Sequence, residues 1–255
     1  LVPDGSRFAL DVAAVRAAIT PRTRAMIVNS PHNPTGMVLS DAECRALAEV
    51  AVEADLLVIS DEVYERLIYS TPEGNEHRPL ASYPGMAERT VTISSAAKMF
   101  NCTGWKIGWA CGTPELIAGV RAAKQYLSYV GGAPFQPAVA YALNHEDAWV
   151  DGLRYSLQGK RDKLAAALTD IGFEVHDSAG TYFLCADPRP LGYDDSTQFC
   201  EQLPHRAGVA AIPMSAFCDP TGAPEVWYHL VRFAFCKREE TLDEAIDRLS
   251  TLSPS

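Results

Sequence analysis

Ala25-Met26-Ile27-Val28-Asn29 runs into the turn Ser30-Pro31-His32-Asn33-Pro34-Thr35-Gly36, and the chain returns to an apolar run at Leu56-Leu57-Val58-Ile59-Ser60 before Asp61-Glu62. Both apolar runs are short and closed by turn residues, which predicts buried strands. Two prolines and a glycine between residues 30 and 36 forbid regular structure and fix the shape of the loop. Ser40-Asp41-Ala42-Glu43 is a capping box, and it opens a helix to about Asp55 with Ala46, Leu47, Val50 and Ala51 on the apolar face. Strand, helix and strand, with near-continuous apolar strands, is the pattern of a parallel α/β sheet.

Outward from that unit, Asp11 to Ile19 predicts a short amphipathic helix, and Thr90 to Ser94 predicts a third strand. Lys106 to Gly112 predicts a fourth strand, to which antiparallel pairing is open. The stretch from Tyr69 to Pro84 is polar and expected to be an exposed loop. From Pro114 the pattern turns helical: Glu115 to Tyr129, a break at Gly131-Gly132-Ala133-Pro134, a second helix to about His145, and a long third from Asp147 to Ile171 with Leu153, Leu157, Leu164 and Leu168 at helical spacing. Beyond it, short strands at 173–176, 181–186, 209–212 and 229–235 alternate with helices at 196–207 and 239–252. This change from α/β to α+β predicts a domain boundary near residue 146. Residues 1–145 are expected to form a large, mostly parallel sheet domain, and residues 146–255 a small α+β domain that includes the linking helix.

A net charge of −10 without basic runs argues against nucleic-acid and anionic-membrane partners. The seven cysteines are scattered and form no CxxC pair, so neither a zinc ribbon nor a disulfide framework is expected, and a reducing cytoplasm fits. The six histidines lack metal-ligand spacing, and no metal is expected.

Three strand ends carry polar residues: Asn29 through Gly36, Asp61 with Tyr64, and Ser94-Ser95-Ala96-Ala97-Lys98. Open α/β sheets bind ligands outside the carboxyl ends of their strands, so these groups are expected to converge on one crevice. A lysine just past a buried strand is poised to enter such a crevice, and a neutral lysine amine condenses with carbonyls. The serine three residues before it can bond a phosphate. Singly, each feature has a plainer reading: an aspartate after a strand caps a helix, a tyrosine packs, an NPTG turn is a turn. Their convergence carries the argument.

Asn33-Pro34-Thr35-Gly36, Asp61-Glu62-Val63-Tyr64, Ser95-Ala96-Ala97-Lys98 and Gly104-Trp105-Lys106-Ile107-Gly108 resemble the marker motifs of class I/II aminotransferases, which are pyridoxal-phosphate (PLP) enzymes of fold type I. The resemblance runs along the whole chain in order. Val231-Arg232-Phe233-Ala234-Phe235 resembles the family's late strand, which carries a substrate-binding arginine. The resemblance implies that Lys98 holds the cofactor covalently and moves a proton to and from the substrate Cα. It implies that Asp61 faces the pyridine nitrogen and that Tyr64 and Asn33 hydrogen-bond the ring hydroxyl. Ser95 and Lys106 would bind the phosphate; many relatives have arginine at the Lys106 position, and lysine gives charge without the bidentate fork. Arg232 and Asn33 would be substrate-binding, with Arg232 clamping the α-carboxylate. The Asn33–Pro34 bond is expected to be cis.

Within the family, residues 94–112 and 182–213 look closest to N-succinyldiaminopimelate aminotransferases of lysine biosynthesis, with kynurenine/glutamine-type transaminases next. The expected activity is ping-pong amino transfer from glutamate to a 2-oxo acid, N-succinyl-2-amino-6-oxopimelate. A PLP-dependent C–S β-lyase is the enzymatic alternative. A PLP-sensing effector domain of a transcription regulator is the remote one. Aspartate-specific relatives carry a distal arginine in the region that corresponds to residues 129–135, and no arginine lies between Arg121 and Arg154. The resemblance also implies a further segment ahead of Leu1, which would supply a phosphate-binding turn, a ring-stacking aromatic and homodimer contacts. Of the remaining residues, His32 is expected as a loop contact, Glu62 as a structural partner, Trp105 and Trp109 as core, and Cys102 and Cys111 as buried packing.

Overall fold

A computed structural model describes residues 1–69, 77–219 and 224–252. Two compact units divide the chain. The first comprises Leu1–Val2, Ala9–Pro31 and Val38–Arg154, the second Pro3–Phe8, His32–Met37 and the chain from Tyr155 onward. A small ribbon of β1 (Val2–Asp4) and β2 (Arg7–Ala9), which the apolar pattern did not signal, opens the chain.

The first unit holds a four-stranded sheet in the order β3 (Ala25–Asn29), β4 (Leu57–Asp61), β5 (Thr90–Ser95), β6 (Gly108–Cys111). The first three are parallel, and β6 runs antiparallel to β5. The register pairs Asn29 with Asp61 and Asp61 with Ile93, so the carboxyl ends of the strands lie level. α1 (Val12–Ala18) is capped by the Asp11 side chain. α2 (Asp41–Glu53) starts at the capping box, in which Ser40 and Glu43 satisfy each other's amides. Its Leu47, Ala48 and Ala51 pack with Val28 and Val58 of the sheet.

Leu80, Tyr83 and Met86 complete this core, which corrects the expected exposed loop: Tyr69, Leu80 and Tyr83 are all buried. Apolar side chains spaced through a polar stretch dock on α2, and the Tyr83 hydroxyl donates to Asp41 at 2.9 Å. Residues 70–76 of that expected loop lie outside the described residues. β4 begins one residue later than expected because Asp55 takes a left-handed conformation (φ 50°) to leave α2. β6 begins at Gly108 because Lys106 is also left-handed (φ 56°).

After β6, α3 (Ala96–Met99) having preceded it, come α4 (Pro114–Leu127) and α5 (Gln136–His145). Thr113 caps α4 with Pro114 in its first turn, yet none of its residues is buried. Trp109 and Cys102 are half-buried and pack against the cluster of Ala96, Ile107 and Val139, whereas Trp105 and Cys111 are exposed, against expectation. β6 is an edge strand, which opens Cys111 to solvent, and Trp105 stacks on Phe135 at 4.8 Å at the surface.

α6 (Asp147–Ile171) carries the passage between the units after Arg154 and buries Leu157, Leu164 and Leu168. The second unit is an antiparallel sheet in the order β7 (Glu174–Val175), β8 (Phe183–Asp187), β10 (Val231–Ala234), β9 (Ile212–Pro213). Every residue of β8 is buried. Phe173 meets Phe199 and Phe233 edge-on, each at 5.9 Å. α7 (Ser196–Ala207) is capped by Asp195 and ends at the left-handed Gly208. α8 (Glu239–Leu249) buries Leu242 and Leu249.

Candidate active site

Side chains alternate across a strand, so at the end of β4 Ser60 and Glu62 face the α2 side while Asp61 faces the other way. The Asp61 carbonyl accepts from Asn29 Nδ2 at 3.0 Å and from the Ser30 amide at 3.2 Å, and its Oδ1 accepts from the Val63 amide at 3.3 Å. Tyr64 follows on the next turn and is only 2% exposed. Lys98 Nζ lies 5.7 Å from the centroid of its ring.

Ser95 ends β5 and precedes the single turn of α3, which carries Lys98; the Ala96 amide donates to the Ile107 carbonyl at 3.1 Å and ties that turn to the start of β6. Ser95, Lys98 and Lys106 line one open cleft of about 500 Å³, with Val63, Ile93 and Gly108. Ile93 pairs with Asp61 across the sheet. Gly108 is needed for close approach, because a Cβ there would lie 2.9 Å from the Ser94 carbonyl oxygen. Five sequence-predicted residues of the first unit thus gather at the carboxyl ends of β4 and β5.

The other two belong to the second unit and meet each other. Residues 32–37 close on themselves: the Gly36 amide donates to the His32 carbonyl at 2.8 Å, the His32 amide to Met37 at 2.7 Å, and His32 Nδ1 and Thr35 Oγ1 are 2.8 Å apart. The Asn33–Pro34 bond is cis, as expected, and so is Ser30–Pro31. Gly36 has φ +73°, and a Cβ would lie 2.2 Å from Ser178 Oγ, so only glycine fits. Ala179 and Gly180 donate their amides to its carbonyl. Burial pushes the His32 imidazole down to about 4, which suits a neutral loop contact.

Arg232 Nη1 donates to Asn33 Oδ1 at 2.6 Å. A guanidinium only donates, so it fixes which end of the Asn33 amide faces it and turns the NH₂ outward. The guanidinium carbon sits 4.0 Å from the Phe183 ring centroid and 4.5 Å from that of Phe217. Two ring faces hold a planar cation at about 1 kcal/mol each, depending on exposure. Phe183 and Phe217 escaped the sequence reading, because an aromatic residue signals packing there and stacking only once its partner is known.

The donor set suits a phosphorylated pyridine aldehyde. Two amines and a hydroxyl in one cleft match a phosphate and a carbonyl, a carboxylate at the end of β4 matches a ring nitrogen, and a buried phenol matches a ring oxygen.

The aminotransferase class I and II family matches residues 2–249, and the chain belongs to that family. Its fold is that of the fold-type-I, PLP-dependent aminotransferases. The chain is 71% identical to a probable N-succinyldiaminopimelate aminotransferase of Mycobacterium tuberculosis, over 99% of this chain and 64% of that protein. It is 37% identical to kynurenine–oxoglutarate transaminase 3 of Rattus norvegicus, over 91% of this chain and 54% of that protein. The solved N-succinyldiaminopimelate aminotransferase of Mycobacterium tuberculosis superposes with a TM-score of 0.95 at 73% identity, covering 99% of this chain and 64% of that one. Thermus thermophilus aspartate aminotransferase with maleate gives 0.82 at 33% identity, covering 95% and 60%. The chain therefore spans less than two thirds of the length of these relatives.

Proposed function

We propose that the protein is a PLP-dependent transaminase that moves an amino group from glutamate to N-succinyl-2-amino-6-oxopimelate in lysine biosynthesis. The observation that carries the chemistry is the gathering of Lys98, Ser95 and Lys106 in one cleft beside Asp61 and Tyr64. The 71% identity to the mycobacterial enzyme supports the substrate.

PLP, when bound, supplies an electron sink for the pair released at the substrate Cα. Lys98 would hold the cofactor through its amine and, once displaced from it by substrate, would move the proton between the substrate Cα and the cofactor C4′. Ser95 and Lys106 bind the phosphate. Asp61 keeps the pyridine nitrogen protonated by opposite charge. Tyr64 would donate to the ring oxygen, a role the family resemblance also gives to Asn33. Arg232, packed against the Phe183 and Phe217 rings, would bind the substrate α-carboxylate through its fork.

The proposed division of labour assigns cofactor chemistry to residues 1–145 and the carboxylate clamp to residues 146–255. A homodimer in the cytoplasm completes the reading; the seven free cysteines support a reducing compartment. Among the described residues no helix is long and apolar enough to cross a membrane. A kynurenine-type transaminase is the second reading, favoured by the 37% identity to that enzyme. Both are tested by assaying 2-oxoglutarate release from glutamate with N-succinyl-2-amino-6-oxopimelate and with the oxo acids of kynurenine-type transaminases. A faster rate with the succinylated acceptor supports the first reading. Absence of transfer to any acceptor refutes both.

A further inference from the structure

Glu62 is a charged side chain only 1% exposed, next to the residue that faces the cleft. A carboxylate that deep is costly unless donors surround it. Three donors reach it from two segments, the end of β4 and residues 77–80. Ser60 Oγ donates at 2.7 Å, the Leu80 amide at 3.2 Å and His77 Nε2 at 2.6 Å. The Glu62 amide donates to the Ile93 carbonyl at 2.8 Å, and the Glu65 amide to the Glu62 carbonyl at 2.9 Å. Glu65 Oε1 in turn accepts from Ser94 Oγ at 2.5 Å. The turn 60–65 is thereby fastened to β5 on one side and to residues 77–80 on the other.

We infer that Glu62 and His77 are positioning residues for the cofactor site, acting through Asp61 and Tyr64. Successive side chains of a strand leave opposite faces. Fixing Ser60 and Glu62 on the α2 face fixes the direction in which Asp61 leaves the opposite face. Fixing the carbonyl of Glu62 by the Glu65 amide fixes the turn that presents Tyr64. Neither Glu62 nor His77 is assigned a contact with the cofactor. Their effect is on where the carboxylate and the phenol stand, and displacements of about 1 Å cost ~10²-fold in well-oriented sites. Glu62, Glu65 and His77 also hold ligand atoms within 4.8 Å of one another, a spacing open to a cation. The chain's own donors already fill both Glu62 oxygens, which favours the positioning role.

This inference rests on the proposed PLP chemistry, and its test separates the two. His77→Ala and Glu62→Gln are prepared as holoenzymes beside the wild type and the milder Ser60→Ala. Three quantities are read: the visible circular dichroism of bound PLP, kcat and KM separately, and amide hydrogen exchange of residues 61–65 in the cofactor-free protein. His77→Ala should alter the PLP dichroic band, lower kcat about tenfold or more with KM little changed, and speed exchange at 61–65. Glu62→Gln should stay near wild type, because a carboxamide can still accept from Ser60 and Leu80 and donate to a neutral imidazole. Ser60→Ala should move the same three readouts less. A folded His77→Ala or, if that fails to fold, Ser60→Ala with all three readouts unchanged would overturn the inference. So would stabilisation of the wild type by Mn²⁺ or Zn²⁺ that Glu62→Gln removes, which would make the cluster a cation site. A wild type without a PLP band would refute the cofactor reading itself.

Discussion

Lys98 and Lys106 line an open cleft, whereas Arg232 packs against two rings and is bonded to Asn33. In the proposed reading both regions meet anions or carbonyls, but by different means. The cleft of the first unit offers point charges without a planar fork. That suits a lysine that must hold a group and later carry a proton. The second unit offers a planar group packed against two rings, which suits a carboxylate that must arrive in one orientation. Under the proposed roles, a point charge serves where bonds change and a planar fork where a ligand is only positioned.

The largest effect expected from breaking this contrast is at Asp61. Asp61→Ala should cut kcat by about 10³-fold while PLP absorbance still titrates in, because the ring loses its charge partner and not its anchor. Next, Arg232→Lys should lower kcat/KM for the amino donor by roughly 10²-fold, chiefly through KM, since lysine restores the charge without the plane. A wild-type KM in Arg232→Lys would show that the stacked plane is dispensable.

Lys106→Ala should weaken PLP about tenfold by absorbance titration, and Lys106→Arg should bind at least as tightly as wild type. Donor choice sharpens the same comparison. With no arginine between Arg121 and Arg154 for a distal carboxylate, aspartate should be a poor donor. Loss of such a charge-assisted pair costs about 2–5 kcal/mol, and aspartate as the best donor by kcat/KM would refute this.

The smallest effect concerns stability. Burial lowers the His32 pKa from 6.5 to about 4. Between those values the unfolded chain binds a proton that the folded chain does not, so stability falls as pH falls through that window, by at most ~3 kcal/mol. Burial lowers His176 as well and acts with the same sign. The thermal midpoint should drop from pH 7 to pH 5, and His32→Asn should reduce that drop.

Much of this was legible in the residues. The capping box at Ser40, the parallel pairing of β3, β4 and β5, and the convergence of Asp61 with Ser95 and Lys98 follow from apolar runs and turn chemistry. The left-handed residues Asp55 and Lys106 were not legible, because any side chain can be forced there by its neighbours, and they moved the starts of β4 and β6. Helical periodicity found α4 and α2 alike, yet Leu47 of α2 is buried while Tyr126 and Leu127 of α4 are 88% and 85% exposed. Periodicity reports which face is apolar, not what covers it. The pairing of Glu62 with His77, fifteen residues on, and the rings around Arg232 needed the fold, because nothing local links those positions.

The central claim is that Lys98 is the residue that holds the cofactor. It is tested by incubating the protein with PLP, reducing with borohydride, digesting, and locating the pyridoxyl group by mass spectrometry. The account predicts the modification on the peptide that contains Lys98, and its loss together with turnover in Lys98→Ala. Stoichiometric modification at another lysine, with turnover retained in Lys98→Ala, would contradict it.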